Sequence, residues 1–301
     1  MTDLILHSYD ASPFTQRALK MLAIKGLQWR SVTTPMMPPK DDLLALTGGY
    51  RGTPVLQIGA DIYIDSQRIA TELEARFPAP TLFPGGGTGL TLAGVKWADA
   101  FFRAGLHLAI AVTGSAWPPE FRRDRQALFP DIDFAACDAD HARSQLRAHA
   151  ALLEDQLADG RAFLAGDAPG LWDIHAWTVP WFTRAVPGGP AAYAGFVRMA
   201  AWEQRVAALG EGNRIDCSAA EAIAIAHAAM PGPSVGCDVD DAQALTIGAA
   251  VEVTPDDTRR GGVRGTVHGV TARGISVLRM DPRCGEVVVH FPRLGYRVVP
   301  V

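Results

Sequence analysis

The chain has 301 residues, 48% hydrophobic and 20% charged, the composition of a globular protein with room for two domains of roughly 150 residues each, and this excludes a disordered or fibrous polymer. Lys and Arg number 28 and Asp and Glu 32, a formal net charge of −4 with no long run of one sign, so neither nucleic acid nor an anionic membrane surface is expected as a partner. No stretch reaches the roughly 18 apolar residues of a membrane span, and Met1-Thr2-Asp3 opens without a basic leader, which predicts a cytoplasmic protein.

Residues 4–8 form a short apolar run that reads as a buried strand, and Ser12-Pro13 then gives a helix start, hydroxyl at the N-cap and proline in the first turn. That helix runs to Gly26, with Phe14, Ala18, Met21 and Leu22 at helical spacing. Residues 29–33 alternate as a second strand, residues 35–39 break the chain with prolines, and residues 40–46 suit one short helix. A hairpin over 52–58 and 62–64 turns at Gly59-Ala60-Asp61, and Asp65-Ser66 opens an amphipathic helix carrying Ile69, Leu73 and Phe77. Residues 1–80 therefore read β-α-β-α-β-β-α, followed by a Pro- and Gly-rich linker at 81–89.

From residue 90 to about 230 the pattern becomes helical: Val95, Ala98, Phe102 and Leu106 share one face, as do Leu146, Ala150, Leu153 and Leu157. Residues 163–169 read as a loop, and an apolar helix begins at Leu171. Pro231-Gly232-Pro233 closes this region. Residues 240–301 change character again, with short valine-rich runs at 249–254, 262–270, 274–280, 286–291 and 296–301 separated by Gly and Pro, a pattern that predicts a small all-β barrel. At this size the barrel is expected to pack on the helical region, as an accessory that braces that region or extends the dimer, with ligand binding by the rest of the chain independent of it. Arg259, Arg260, Arg264 and Arg273 cluster in this stretch without the interleaved aromatics of a nucleic-acid-binding barrel.

Cys137, Cys217, Cys237 and Cys284 have no spacing that completes a zinc tetrahedron, and Asp138-Ala139-Asp140-His141 reads as a solvated helix start, so no metal is expected. The basic run Arg122-Arg123-Asp124-Arg125 reads as a surface face.

The β-α-β-α-β-β-α order followed by helices, with S-P-F-T-Q-R at 12–17, T-P-V-L at 53–56 and D-S at 65–66, resembles the cytosolic glutathione transferase family over residues 1–230; the C-terminal barrel lies outside its usual pattern. The resemblance implies an α/β thioredoxin-like glutathione-binding domain, an all-α helical domain, a homodimer, and glutathione as co-substrate attacking a small apolar electrophile. A free thiol has a pKa near 8.5, so such an enzyme must favour the thiolate, and a hydroxyl at a helix N-terminus does so by hydrogen bonding and by the partial positive charge there. Ser12 is that hydroxyl, and Tyr9 is the alternative donor. Omega-like members carry cysteine where this chain has Ser12, and serine cannot form their mixed disulfide, so thiolate stabilisation replaces thiol reduction. The resemblance further implies that Phe14 lies at the site. It assigns Thr53, ahead of a cis Pro54, to the backbone of the cysteinyl unit, Asp65 and Ser66 to the γ-glutamyl ammonium and carboxylate, and Lys40 to the glycyl carboxylate. Gly170 to Asp173 resembles the family's capping box, a folding element, while Trp97, Phe101, Phe102 and His107 are candidates for either core or electrophile pocket. A non-catalytic binding or scaffold protein, and a glutathione-dependent lyase or dehalogenase, are the alternative functions.

Overall fold

A computed structural model describes residues 3–256 and 261–301; Arg259 and Arg260 lie outside the described residues. The first unit contains β1 (Leu4–Ser8), α1 (Pro13–Ile24), β2 (Gln28–Thr33), α2 (Asp41–Thr47), β3 (Val55–Ile58), β4 (Asp61–Ile64) and α3 (Ser66–Arg76). β1 pairs with β2 in parallel and with β3 antiparallel, and β3 pairs with β4 antiparallel, the order of a thioredoxin-like sheet. α1 and α3 pack on one face, closing a core around Leu6, Leu19, Met21, Trp29, Leu56 and Leu73.

The helical region comprises α4 (Gly87–Thr113), α5 (Pro119–Leu128), α6 (Ala139–Gln156), α7 (Leu171–Thr183) and α8 (Val197–Ala207). α4, α6, α7 and α8 enclose a core containing Phe101, Leu146, Leu153, Val179 and Trp202. α7 starts at Gly170 and keeps half of a capping box: the buried Asp173 carboxylate accepts from the backbone N–H of Gly170 (3.1 Å) and of Leu164 (2.8 Å), and from Trp202 Nε1 (2.8 Å). The reciprocal side-chain bond cannot form from glycine, which is a tolerable N-cap.

The chain departs from the expected helical course after α8. Gly210 and Gly212, at φ 77° and 74°, turn it back, and the stretch expected to stay helical to about residue 230 forms β5 (Asn213–Asp216) and α9 (Ala219–Ala228). β5 pairs in parallel with β2, and α9 lies on the sheet face opposite α1, where Gln57 Nε2 donates to Ala222 O (2.8 Å). An open β2 edge offers a row of backbone groups, and β5 satisfies them although every one of its side chains is exposed.

The C-terminal strands follow: β6 (Gly236–Cys237), β7 (Ala250–Pro255), β8 (Val263–Thr271), β9 (Gly274–Asp281), β10 (Gly285–Pro292) and β11 (Tyr296–Pro300). Their antiparallel ladder runs β11-β7-β8-β9-β10, with β6 beside β8. β10 then pairs in parallel with β4, placing Val288, Val289 and His290 opposite Asp61, Ile62 and Tyr63, so the all-β unit and the thioredoxin-like sheet are one continuous sheet. The support expected from the helical region comes instead from the thioredoxin-like unit. The reason is hydrophobic: Leu43, Leu46, Ile62 and Ile64 share a single core with Val251, Val267, Val277, Val287 and Val289. Each such side chain, fully buried, contributes about 1.5–3 kcal/mol, and neither half covers its own set without the other.

Candidate active site

Three strand ends meet on one side of the sheet. His7 faces Val55 across the β1–β3 ladder, and Val55 faces Ile64 across the β3–β4 ladder. The residues that follow β1, precede β3 and follow β4 therefore emerge side by side, and these are Tyr9 to Ser12, Thr53-Pro54, and Asp65-Ser66. The sequence separates the first of them from the last by more than fifty positions; antiparallel pairing removes that separation.

Ser12 is the N-cap of α1, with Pro13 in the first turn. Its Oγ accepts from Thr15 N (3.3 Å), which leaves the hydroxyl proton to donate, and the side chain is almost fully buried. Tyr9 stands half-buried at the exit of β1, and its ring lies 5.5 Å from Lys40 Nζ. Lys40 is buried and donates to Arg51 O (3.2 Å), so the start of α2 and the loop before β3 are tied together beside Tyr9. The Thr53-Pro54 peptide is cis.

Asp65 has φ 78°, a left-handed backbone at a non-glycine residue that costs on the order of 1 kcal/mol and concentrates at functional positions. Its Oδ1 accepts from Gln67 N (2.8 Å) as N-cap of α3, and its Oδ2 accepts from the hydroxyl of Tyr296 (3.2 Å) at the start of β11. Ser66 follows as the first residue of α3, its side chain near the helix N-terminus.

Phe14 is placed differently from the others. It points toward the helical region, meeting Phe102 edge-to-face at 5.3 Å, and Arg17 stacks over both rings. Arg17 belongs to the 12–17 motif yet has no role assigned from sequence. In the structure it is buried where α1 meets α4 and α7, 3.6 Å from Asp99 Oδ1 and 3.4 Å from Thr178 Oγ1, with His175 Nδ1 3.9 Å from the same Asp99 oxygen. Burial lowers the pKa of Arg17, opposed by Asp99 and Asp65. Burial likewise lowers His175 to about 4, helped by Arg17, so this ring is neutral near pH 7. Burial pushes the Asp99 carboxyl up, but His175 and Arg17 outweigh it and the net direction is down. Neither nitrogen of His175, nor Nη2 of Arg17, has a hydrogen-bond partner among the described residues.

Of the pocket candidates, Phe101 is fully buried and stacks on His149 at 5.1 Å, while Trp97 sits against Phe101 and Trp172, so both serve the helical core. Phe102 alone reaches the seam with Phe14. His107 lies farther along α4, partly buried and lowered in pKa by burial. The run 122–125 is more than a solvated face: Asp124 pairs with Arg51 of the loop before β3, and Arg125 Nη2 donates to Met36 O (3.0 Å), so α5 spans from the helical region to the site. Asp138 caps α6 through His141 N (2.7 Å), and no metal-ligand cluster exists among the described residues. Nor is any helix among them long and apolar enough to cross a membrane.

A thioredoxin-like sheet with a hydroxyl at the N-terminus of α1, a cis-proline before β3 and an Asp-Ser pair opening α3, joined to a helical region, defines a protein of the glutathione transferase class. Residues 6–81 match the family described as glutathione S-transferase, N-terminal domain. The chain is 35% identical to a GST-like protein from Pseudomonas syringae, with 100% of each chain covered and a TM-score of 0.84, and it belongs to the glutathione transferase family. Fold likeness extends to a glutathione transferase from Phanerochaete chrysosporium (18% identity, TM-score 0.58, 69% of this chain and 97% of that one). It extends also to the beta-etherase LigF from Sphingobium sp. strain SYK-6 (19% identity, TM-score 0.52, 69% and 96%). The first match takes in the C-terminal strands, whereas the other two span nearly all of their own chains and leave almost a third of this one unmatched. Among curated proteins none matches the chain.

Proposed function

We propose that the protein is a cytoplasmic, homodimeric glutathione transferase in which Ser12 donates a hydrogen bond to the glutathione thiolate, and the thiolate attacks a small apolar electrophile held against the helical region. The observation that carries this reading is the convergence at one sheet end of Ser12, Thr53 and the Asp65-Ser66 pair. Ser12 combines a donor proton with the positive end of α1, and lowering a thiol pKa by about two units takes roughly 2.7 kcal/mol, within reach of the two together. Thr53 offers its backbone to the cysteinyl unit, Ser66 and the α3 N-terminus the carboxylate of the γ-glutamyl unit, Asp65 its ammonium, and Lys40 the glycyl carboxylate. Phe14 and Phe102 supply the apolar wall toward the electrophile, and Tyr9 is the second donor candidate.

The test is the Ser12→Ala variant. Returning the bound thiol from a pKa near 6.5 to one near 8.5 cuts the ionised fraction at pH 7 by about 25-fold. Ultraviolet absorption of the bound thiolate and the rate of conjugation to an activated aryl halide should both fall by that factor, while Tyr9→Phe leaves them near wild type. A reversed outcome moves the donor role to Tyr9. Unchanged thiolate in both variants, or no turnover by wild type, leaves a binding or scaffold protein. Turnover of haloalkanes or aryl ethers with glutathione in place of conjugation would assign a dehalogenase or lyase acting through the same thiolate.

A further inference from the structure

Among the described residues, the C-terminal β unit reaches the site through the side chain of Tyr296. Tyr296 opens β11, where its backbone pairs with Pro255, and Gly295 before it, at φ 81°, makes the turn that returns the chain toward β4. Its ring is 7% exposed and packs 5.4 Å from Phe291, so the hydroxyl is delivered to a fixed point. That point is Oδ2 of Asp65 at 3.2 Å.

The delivery depends on the join between the two sheets. Because β10 runs parallel to β4, with His290 opposite Tyr63, the two strands finish together: β4 leads into Asp65, and β10 leads through Phe291 and Pro292 to the turn before Tyr296. His290 secures this register twice, through a 2.8 Å contact with Asp61 and a stack on Tyr63 at 4.5 Å. A hydroxyl donating to a carboxylate is a charge-assisted bond, stronger and more directional than a neutral one. With Oδ1 tied to Gln67 N as the helix cap and Oδ2 tied to Tyr296, the plane of the Asp65 carboxylate is set from both sides.

We propose that Tyr296 is a positioning residue of the glutathione site, orienting Asp65 for the γ-glutamyl ammonium, so that the C-terminal β unit completes the binding site of the thioredoxin-like unit. This rests on the glutathione reading above. An ammonium is recognised by the direction of the acceptor as well as by its charge, so loss of the tyrosine hydroxyl removes one of the bonds that hold the Asp65 carboxylate in its ligand-facing orientation. The effect is confined to the amino group of glutathione: its thiol, peptide units and glycyl carboxylate do not depend on Asp65.

The experiment is calorimetric titration of the intact chain and its Tyr296→Phe variant with two ligands, glutathione and the analogue in which a glutaryl group replaces γ-glutamyl and the amine is absent. Tyr296→Phe should weaken glutathione about five- to tenfold, the size of one lost hydrogen bond at a charged group, and leave the analogue within about twofold of wild type. In an Asp65→Asn background the tyrosine substitution should add nothing further, which separates positioning from general loss of structure. Equal weakening of both ligands, or unchanged glutathione binding, overturns the role of Tyr296 and leaves the site reading intact. Wild-type protein that binds neither ligand overturns the site reading and this role with it.

Discussion

The thioredoxin-like unit is held by two neighbours in two different ways. On the β4 side the C-terminal strands are fused to it by a backbone ladder and a common apolar core. On the α1 side the helical region meets it through side chains: Leu171 and Ile174 of α7 enter the apolar core around Leu6 and Leu73, and beside that core Phe14, Phe102, Arg17, Asp99 and His175 form a seam of alternating aromatic and polar surface. A shared ladder cannot open without exposing unpaired backbone and apolar side chains together, whereas a seam of individual contacts can part locally. The half of the site that binds the common peptide thus sits on the fused side, and the half that faces a variable second substrate lies along the seam. Rigidity belongs where recognition is fixed, and adaptability where it varies.

The largest effect should come from removing the fused partner. Truncation after residue 239 strips the cover from Leu43, Leu46, Ile62 and Ile64, all essentially inaccessible in the intact chain. At about 1.5–3 kcal/mol each, their exposure approaches the whole net stability of a domain, about 5–15 kcal/mol. The truncated chain should show no cooperative melting transition and bind no glutathione, as followed by circular dichroism and calorimetry. A truncated protein that melts cooperatively and still binds glutathione would show that the two sheets merely touch.

Acid should act on both neighbours and in a predictable direction. His7, hydrogen-bonded to Gln57 within the thioredoxin-like sheet (2.8 Å), and His175 in the seam are both lowered by burial from 6.5 to about 4. A histidine whose folded pKa lies below its unfolded value contributes stability that is complete above pH 6.5 and is lost as pH falls toward 4, because the unfolded chain takes up the proton first. Each should remove on the order of 3 kcal/mol by pH 4. His290, also lowered by burial at the β4–β10 join, acts in the same sense. Carboxylates held low, such as Asp99 and Asp281, lose their contribution only near and below their ordinary value of 3.8, and Asp173, pushed up by burial, acts in the stabilising sense as pH falls, so a loss of stability between pH 6.5 and 5 reports the histidines. The melting temperature should fall steadily across that interval, with a shallower slope in a His7→Gln variant; a flat profile would mean that these rings are charged or solvated in the folded protein.

Much of the fused half was legible residue by residue, while the fusion itself was not. Ser12-Pro13, Thr53-Pro54 and Asp65-Ser66 each act within a few positions, as a cap or a strand start, so local chemistry shows in local sequence. The valine runs of β7 to β11 alternate and are punctuated by glycine, which is the signature of strands. Pairing of β10 with β4 joins segments at opposite ends of the chain, and no turn residue or spacing encodes such a partner. The run Asp61–Ile64 is apolar at three of its four positions and buried throughout in the structure, which tells that both its faces are covered but not which strand lies beside it. β5 was hidden for the opposite reason, since Asn213–Asp216 is exposed throughout and is held by its backbone pairing with β2 and by Arg214, which meets Asp10 (3.1 Å) and the Trp29 ring. Arg17 and Tyr296 were out of reach because their significance lies in what they meet, Asp99 and Asp65, on other elements.

The smallest expected effect sharpens the comparison most, because it opens the seam while leaving the ladder closed. α5 has no buried residue and is tied across to the thioredoxin-like unit by Arg125 donating to Met36 O and by Asp124 paired with Arg51, in the loop that also receives Lys40. The Arg51–Asp124 pair is partly shielded, at 20% and 11% side-chain exposure, so it contributes more than a surface pair but less than a buried one, about 1 kcal/mol. Asp124→Asn keeps the shape and removes the charge. Global melting should shift by no more than about 2–4 °C, since this contact lies outside every core. Hydrogen exchange should instead show amides of residues 119–128 losing about fivefold in protection, the amount about 1 kcal/mol of local opening produces, while the amides of Val288 and Val289 on β10 stay as slow as in wild type. Raising the salt concentration should reduce the difference between variant and wild type, because screening weakens the pair that only the wild type has. Equal loss of protection in α5 and β10 would mean that seam and ladder open as one unit, and the distinction between an adaptable and a rigid neighbour would fail.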